Sequence, residues 1–336
     1  MAEDDDTIVF RPAARRRAGW GAALFVLLGL SFAGGGAWLL RPAPAQPPLA
    51  TEQQILDRSP GSTEAYRFLS QPEILVLQFA TLADQAAMLN RAAALVERNG
   101  TPRDRVLDPA ELDQRLRASG EVPERLYLGH DYRAADLERF FHLADPHLTP
   151  AESWLRDRLR GWGWRERGST GALISLVREN QAAGIDRASR ATILRHELSH
   201  GLYFVNADYA AYARRFWAAT LSAVERDQFR RFLGREGYDT GNEDLMANEA
   251  QAYLVHTSDT RFFNAASVGM AQVRLDALRT LFLAGMPPGW LRDGAAVGAR
   301  MPRRRQRLGA VRTRRTLATT GPARLACSIA IPNSAT

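Results

Sequence analysis

The chain of 336 residues has one cysteine and no lysine. A lone thiol, Cys327, excludes an intramolecular disulfide and any zinc ribbon built from several thiolates. All 44 basic residues are arginine, which fits a GC-rich coding bias. Acids are missing from residues 300–336, which hold nine arginines, whereas residues 1–299 set 35 arginines against 37 acids. The formal charge of +7 and the pI of 10.1 therefore belong to a tail. They give no reason to expect nucleic acid as a partner. A hydrophobic share of 46% with 24% charged residues excludes a wholly disordered or collagen-like chain. The length suffices for one large domain or two ordinary ones.

Charge of either sign is absent from Ala18 to Leu40. That run is long enough to cross a bilayer, which takes about 20 residues. Trp20 and Trp38 stand near its ends, where indoles prefer the interface. Arg11, Arg15, Arg16 and Arg17 precede it and only Arg41 follows closely, so the positive-inside rule keeps the N-terminus cytoplasmic. The expected layout is a leader over residues 1–17, one transmembrane helix over 18–40 and a proline-rich linker over 41–50. The remainder then faces the periplasm or cell exterior, tethered to the inner membrane. A cleaved signal peptide is the alternative, with Ala43-Pro44-Ala45 resembling a cleavage site.

The rest reads as an α+β protein, mostly helical. Residues 51–165 are expected to form a helical subdomain, with helices in the alanine-rich stretch from Leu82 to Val96, after Asp108-Pro109, from Ala134 to Leu143, and after Thr149-Pro150. Gly100 stands where a helix C-cap glycine belongs. Ile74 to Leu77 suits either a strand or the start of a helix. Gly171 to Val177, GALISLV, is short, apolar and partly β-branched, and reads as a strand. Asp186 then caps a helix through RASRATILRHELSHGLYF, and further helices follow over 209–221, 223–233, 243–256 and 271–283. Residues 166–296 make the second expected region. Residues 297–336 read as a disordered basic tail, with a functional basic arm or a frameshifted extension as alternatives.

One motif carries chemistry: His196-Glu197-Leu198-Ser199-His200. Residues four apart share a helix face, about 5–6 Å between Cβ atoms. The two imidazoles can then hold one zinc ion, with Glu197 placed as general base for a water on the open position. A catalytic zinc site needs a third protein ligand. Of the six histidines, His130, His142 and His147 lie upstream among the expected helices. Glu249, Tyr253 and His256 fall at i, i+4 and i+7 on one expected helix face. That pattern favours Glu249 as the ligand, with Tyr253 or His256 beside it to stabilise an oxyanion. Glu243 is the rival ligand, although a carboxylate at a helix start is explained by the dipole, and His256 is a third option.

These residues resemble the zincin metallopeptidases over residues 171–256. The resemblance implies a mixed sheet whose edge strand precedes the active-site helix, with GALISLV in that place. The metzincin branch would need Gly and His where this chain has Tyr203 and Asn206. The gluzincin branch takes a glutamate ligand from a downstream helix. Asn248-Glu249-Ala250-Gln251-Ala252-Tyr253 is similar to its E-x-x-A-D pattern, with Tyr253 in place of the aspartate. That aspartate steadies a ligand histidine, a role left here to Glu243, Asp208 or Tyr253. The expectation is a membrane-anchored zinc metallopeptidase acting on a peptide or protein substrate. A catalytically silent zinc site in a tethered helical binding module is the alternative, and zinc-dependent hydrolysis of a non-peptide amide a third.

Overall fold

The computed structural model describes residues 45–164 and 170–294. The expected leader, transmembrane helix and basic tail lie outside the described residues, as does Cys327. Among the described residues, no helix is long and apolar enough to cross a membrane.

The fold is α+β, predominantly helical, with one small mixed sheet. The strands are β1 (Leu49–Ala50), β2 (Glu64–Phe68), β3 (Ile74–Phe79), β4 (Gly129–Arg133) and β5 (Ala172–Val177). The helices are α1 (Glu52–Asp57), α2 (Leu82–Val96), α3 (Pro109–Ala118), α4 (Ala134–Ala144), α5 (Pro150–Gly161), α6 (Arg187–Val205), α7 (Ala207–Arg215), α8 (Ala223–Arg235), α9 (Glu243–Gln251) and α10 (Gln272–Gly285). Wide π-turns extend α7 over Phe216–Thr220 and α9 over Ala252–His256. Side-chain caps explain most of the helix starts. Thr81, Asp108, Thr149, Asp186, Ser222 and Asn242 each accept a backbone N–H of the first turn, an interaction worth about 1 kcal/mol.

The sheet order is β1-β2-β3-β5-β4. β3 and β5 run parallel in register from Ile74 opposite Ala172 to Phe79 opposite Val177, and β4 lies antiparallel to β5 with Asp131 opposite Ile174. Two expectations change here. The strand before the motif helix is an interior strand, buried along its whole length, and the edge position belongs to β4. Residues 51–165 also supply three of the five strands, so the expected helical subdomain shares one sheet and one hydrophobic core with the second expected region. The reason is non-local pairing: β4 takes its hydrogen bonds from a strand some 40 residues further along the chain.

Two local readings also shift. The end of the linker is docked: Trp162 Nε1 donates to Ala45 O at 3.2 Å, Gln46 Nε2 to Trp162 O at 3.0 Å and Arg67 Nε to Pro47 O at 3.2 Å. Helix α2 stops at Val96 with Glu97 at its C-cap, and Gly100 takes its positive φ in the turn beyond.

α6 is buried on nearly all sides from Ser189 to Tyr203, the pattern of a central helix. It packs on β3, β4 and β5 and is covered by α7, α9 and the π-turn after α9. Gly201 permits the close approach to the sheet, since a Cβ there would lie 2.9 Å from Ile74 Cδ1. Near its start, the buried guanidinium of Arg190 donates to Val177 O at 3.0 Å, Leu56 O at 2.6 Å, Ile55 O at 3.1 Å and Gln78 Oε1 at 3.0 Å. One side chain thus fixes α6 to α1, β3 and β5.

Candidate metal centre

The α-helical spacing of α6 brings His196 and His200 together, with Nε2 atoms 3.1 Å apart. α9 brings Glu249 to the same point, its Oε2 3.7 Å from His200 Nε2. All three side chains are fully buried. Two atoms each about 2.0–2.1 Å from a tetrahedral zinc lie about 3.4 Å apart, and the two measured separations straddle that value. Two imidazoles and one carboxylate converging on one point fit a zinc ion with an open fourth position.

The hydrogen bonds around the ligands decide which nitrogen faces inward. Thr257 Oγ1 donates its proton to Ala252 O at 3.0 Å, so it accepts from His196 Nδ1 at 2.8 Å. His196 is then protonated on Nδ1, and its Nε2 lone pair is directed at the centre. His200 Nδ1 faces Asp131 Oδ1 at 4.0 Å, an electrostatic pair rather than a hydrogen bond.

The charges make the site costly without a cation. Burial comes first in raising the Glu249 pKa well above the usual carboxylate range, and the charges of Asp131, Glu97 and Glu197 add to it. The Tyr238 hydroxyl opposes the rise. Burial also holds His196 well below its ordinary value, helped by His200 and His256. An imidazole kept neutral at His196 and a carboxylate crowded by other carboxylates suit a divalent cation.

Glu197 lies between the two histidines and is fully buried. Its carboxyl rests over the backbone of β4, where a Cβ on Gly129 would come within 2.6 Å of Glu197 Cδ. The glycine in the edge strand makes the space for that head group.

The remaining sequence candidates fall in different places. The Tyr253 ring packs edge-on against His196 with centroids 4.8 Å apart, among Phe232 and Phe263. His256 turns away from the ligands: its Nε2 lies 3.2 Å from the Tyr209 hydroxyl, which donates to Gln251 Oε1 at 2.5 Å. The π-turn explains this, because a wider turn carries the ligand-facing side from i+7 to i+8. That puts Thr257, not His256, against His196. Glu243 accepts from Trp217 Nε1 at 2.8 Å and Arg230 at 2.6 Å, outside the ligand cluster, so it is no rival ligand. Asp208 is exposed on α7. Asp131 and Thr257 were missed as supports for the ligands. Thr257 carries no motif, and Asp131 lies in GHDYR, whose glycine and aspartate are poor strand formers.

A cavity of about 390 Å³ borders this centre, lined by Glu97, Asp131 and Asn248 beside Arg103, Arg133 and Asp239. Neither it nor a larger one, about 550 Å³ between α4 and α5, is lined by His196, His200 or Glu249. Compared with known families, curated proteins and solved structures, the chain finds no match.

Proposed function

We propose that this chain is a membrane-anchored zinc metallopeptidase of the gluzincin kind. The observation that carries this reading is the convergence of His196, His200 and Glu249, with Glu197 next to His196 in the chain and its carboxyl against Gly129. A zinc ion held there supplies a Lewis acid and lowers the pKa of a water in its open position towards about 7. The chain's own residues do the rest. Glu197 takes the proton from the attacking water and delivers it to the leaving amine. Thr257 holds His196 in the tautomer that faces inward, and Asp131 balances His200. The cavity beside Asp131 and Asn248 is the approach to the centre for a peptide or protein substrate. The uncharged run over 18–40 and its arginine flank support an inner-membrane anchor with the domain on the periplasmic or outer side. Nucleic acid is not a partner in this reading.

The second reading is a catalytically silent zinc site in a tethered binding module. Complete burial of His196, Glu197, His200 and Glu249 favours it, since a peptide bond reaches them only if the wall between them and the cavity beside Asp131 opens. Glu197 separates the two, because a structural site has no use for a carboxylate between its ligands. Glu197→Gln should retain zinc and lower peptide hydrolysis by about 10²–10⁴-fold, the usual worth of a general base. Undiminished turnover in that variant would remove Glu197 from the role.

A further inference from the structure

We infer that the protein holds a second divalent cation, bound by Glu97, Asp131 and Glu249, with Glu249 shared between it and the zinc centre. This rests in part on the zinc reading, because Glu249 belongs to both sites.

Three elements converge to make the second donor set. Glu97 comes from the C-cap of α2, Asp131 from β4 and Glu249 from α9, and an oxygen of each lies within 4.8 Å of the other two. All three are buried, at 3%, 4% and 0% exposure. The arrangement is built rather than incidental. The turn after α2 is stitched to the approach to α9, with Asn99 N donating to Gly237 O at 2.9 Å and Asp239 N to Glu97 O at 3.0 Å.

Asp131 points to a ligand independently of the cluster. Its Oδ1 faces His200, but its buried Oδ2 has no hydrogen bond. A buried carboxylate oxygen left so costs about 1–3 kcal/mol or more unless something from outside satisfies it. The cavity of about 390 Å³ reaches Glu97 and Asp131, and Asn248 adds an amide to its wall. The cavity's arginines are directed elsewhere: Arg133 to Asp244 at 2.5 Å, Arg103 to Asp239 at 3.2 Å and Arg139 to the Arg103 carbonyl.

Charge gives the same answer. Glu97, Asp131, Glu197 and Glu249 are four buried carboxylates in one electrostatic group. A second divalent cation beside the zinc would lower the repulsion among them. The donors are all oxygen, which selects a hard ion such as Ca²⁺, Mg²⁺ or Mn²⁺ over a second zinc. A carboxylate shared by two cations also raises the positive field on any substrate carbonyl at the centre.

The test uses the full chain in detergent, loaded with zinc and then titrated with Mn²⁺, which reports its own binding by loss of the free-ion EPR signal. The inference expects one Mn²⁺ per chain beside one zinc. Glu97→Gln and, separately, Asp131→Asn should weaken Mn²⁺ at least about tenfold while zinc content in Glu97→Gln is unchanged. Both are isosteric and relieve charge, so the chain should fold in each. No Mn²⁺ binding to the zinc-loaded chain overturns the inference, as does Mn²⁺ binding that both variants leave intact. Failure of the zinc reading looks different: the chain then takes up no zinc, whatever it does with Mn²⁺.

Discussion

Two buried polar clusters flank the same helix and are built on opposite principles. Arg190, near the start of α6, gives its protons to three backbone carbonyls and one glutamine side chain. Its cluster is complete within the chain. Further along, His196, His200 and Glu249 direct their free lone pairs at one another, with Asp131, Glu97 and Glu197 adding negative charge. A cluster that satisfies itself holds the fold together. One that leaves its donor atoms facing a common point is arranged for an ion from outside.

The contrast can be broken from the structural side first. Arg190→Met keeps volume but takes the donor from Val177 O and Gln78 Oε1 and leaves Leu56 O only a 3.5 Å contact from Arg187, while Ile55 O keeps Gln78 Nε2. Stability should fall by about 3–5 kcal/mol, read by urea denaturation, with zinc per folded chain unchanged. A loss under about 1 kcal/mol would mean that the cluster is not what fixes α6. On the functional side the sign reverses. Glu249→Gln replaces a carboxyl whose ionised form is disfavoured by burial and by like charges, so the metal-free protein should gain about 1–2 kcal/mol while zinc binding is lost. Destabilisation of the metal-free chain by that substitution would contradict the picture of a site strained for a cation.

His256 sharpens the division, because it sits beside the ligands yet is bonded to Tyr209. Burial pushes its pKa down from 6.5 to about 3. Above pH 6.5 it is neutral in both states and its contribution is complete. As pH falls from 6.5 towards 3 the unfolded chain takes up a proton that the folded chain refuses, so stability drops. The slope is up to about 1.4 kcal/mol per pH unit. His256→Gln should remove that slope between pH 6 and 4 and leave zinc content as it was. An unaltered slope would show that His256 is not buried neutral.

Much of the frame was legible in the sequence, and the reasons are local. Asp186, the apolar positions of α6 and the i, i+4 histidines all act within a few residues, so helix, cap and ligand pair could be read together. β5 announced itself by an apolar run buried on both faces. β2 and β4 did not, because EAYRF and GHDYR carry charges and short polar side chains and gain stability only from partners far along the chain. The same limit applied to the centre. Glu249 was reachable by helical spacing, whereas Asp131 and Glu97 reach it through tertiary packing alone. Thr257 displaced His256 because a π-turn leaves no mark that periodicity can register.

The most direct measurement is zinc content per chain in the full-length protein beside its Glu249→Ala variant. The account predicts close to one zinc in the parent and a large loss in the variant, with both chains folded. A folded parent that takes up no zinc after the metal is supplied would contradict it, and the buried histidine–carboxylate cluster would then need another explanation.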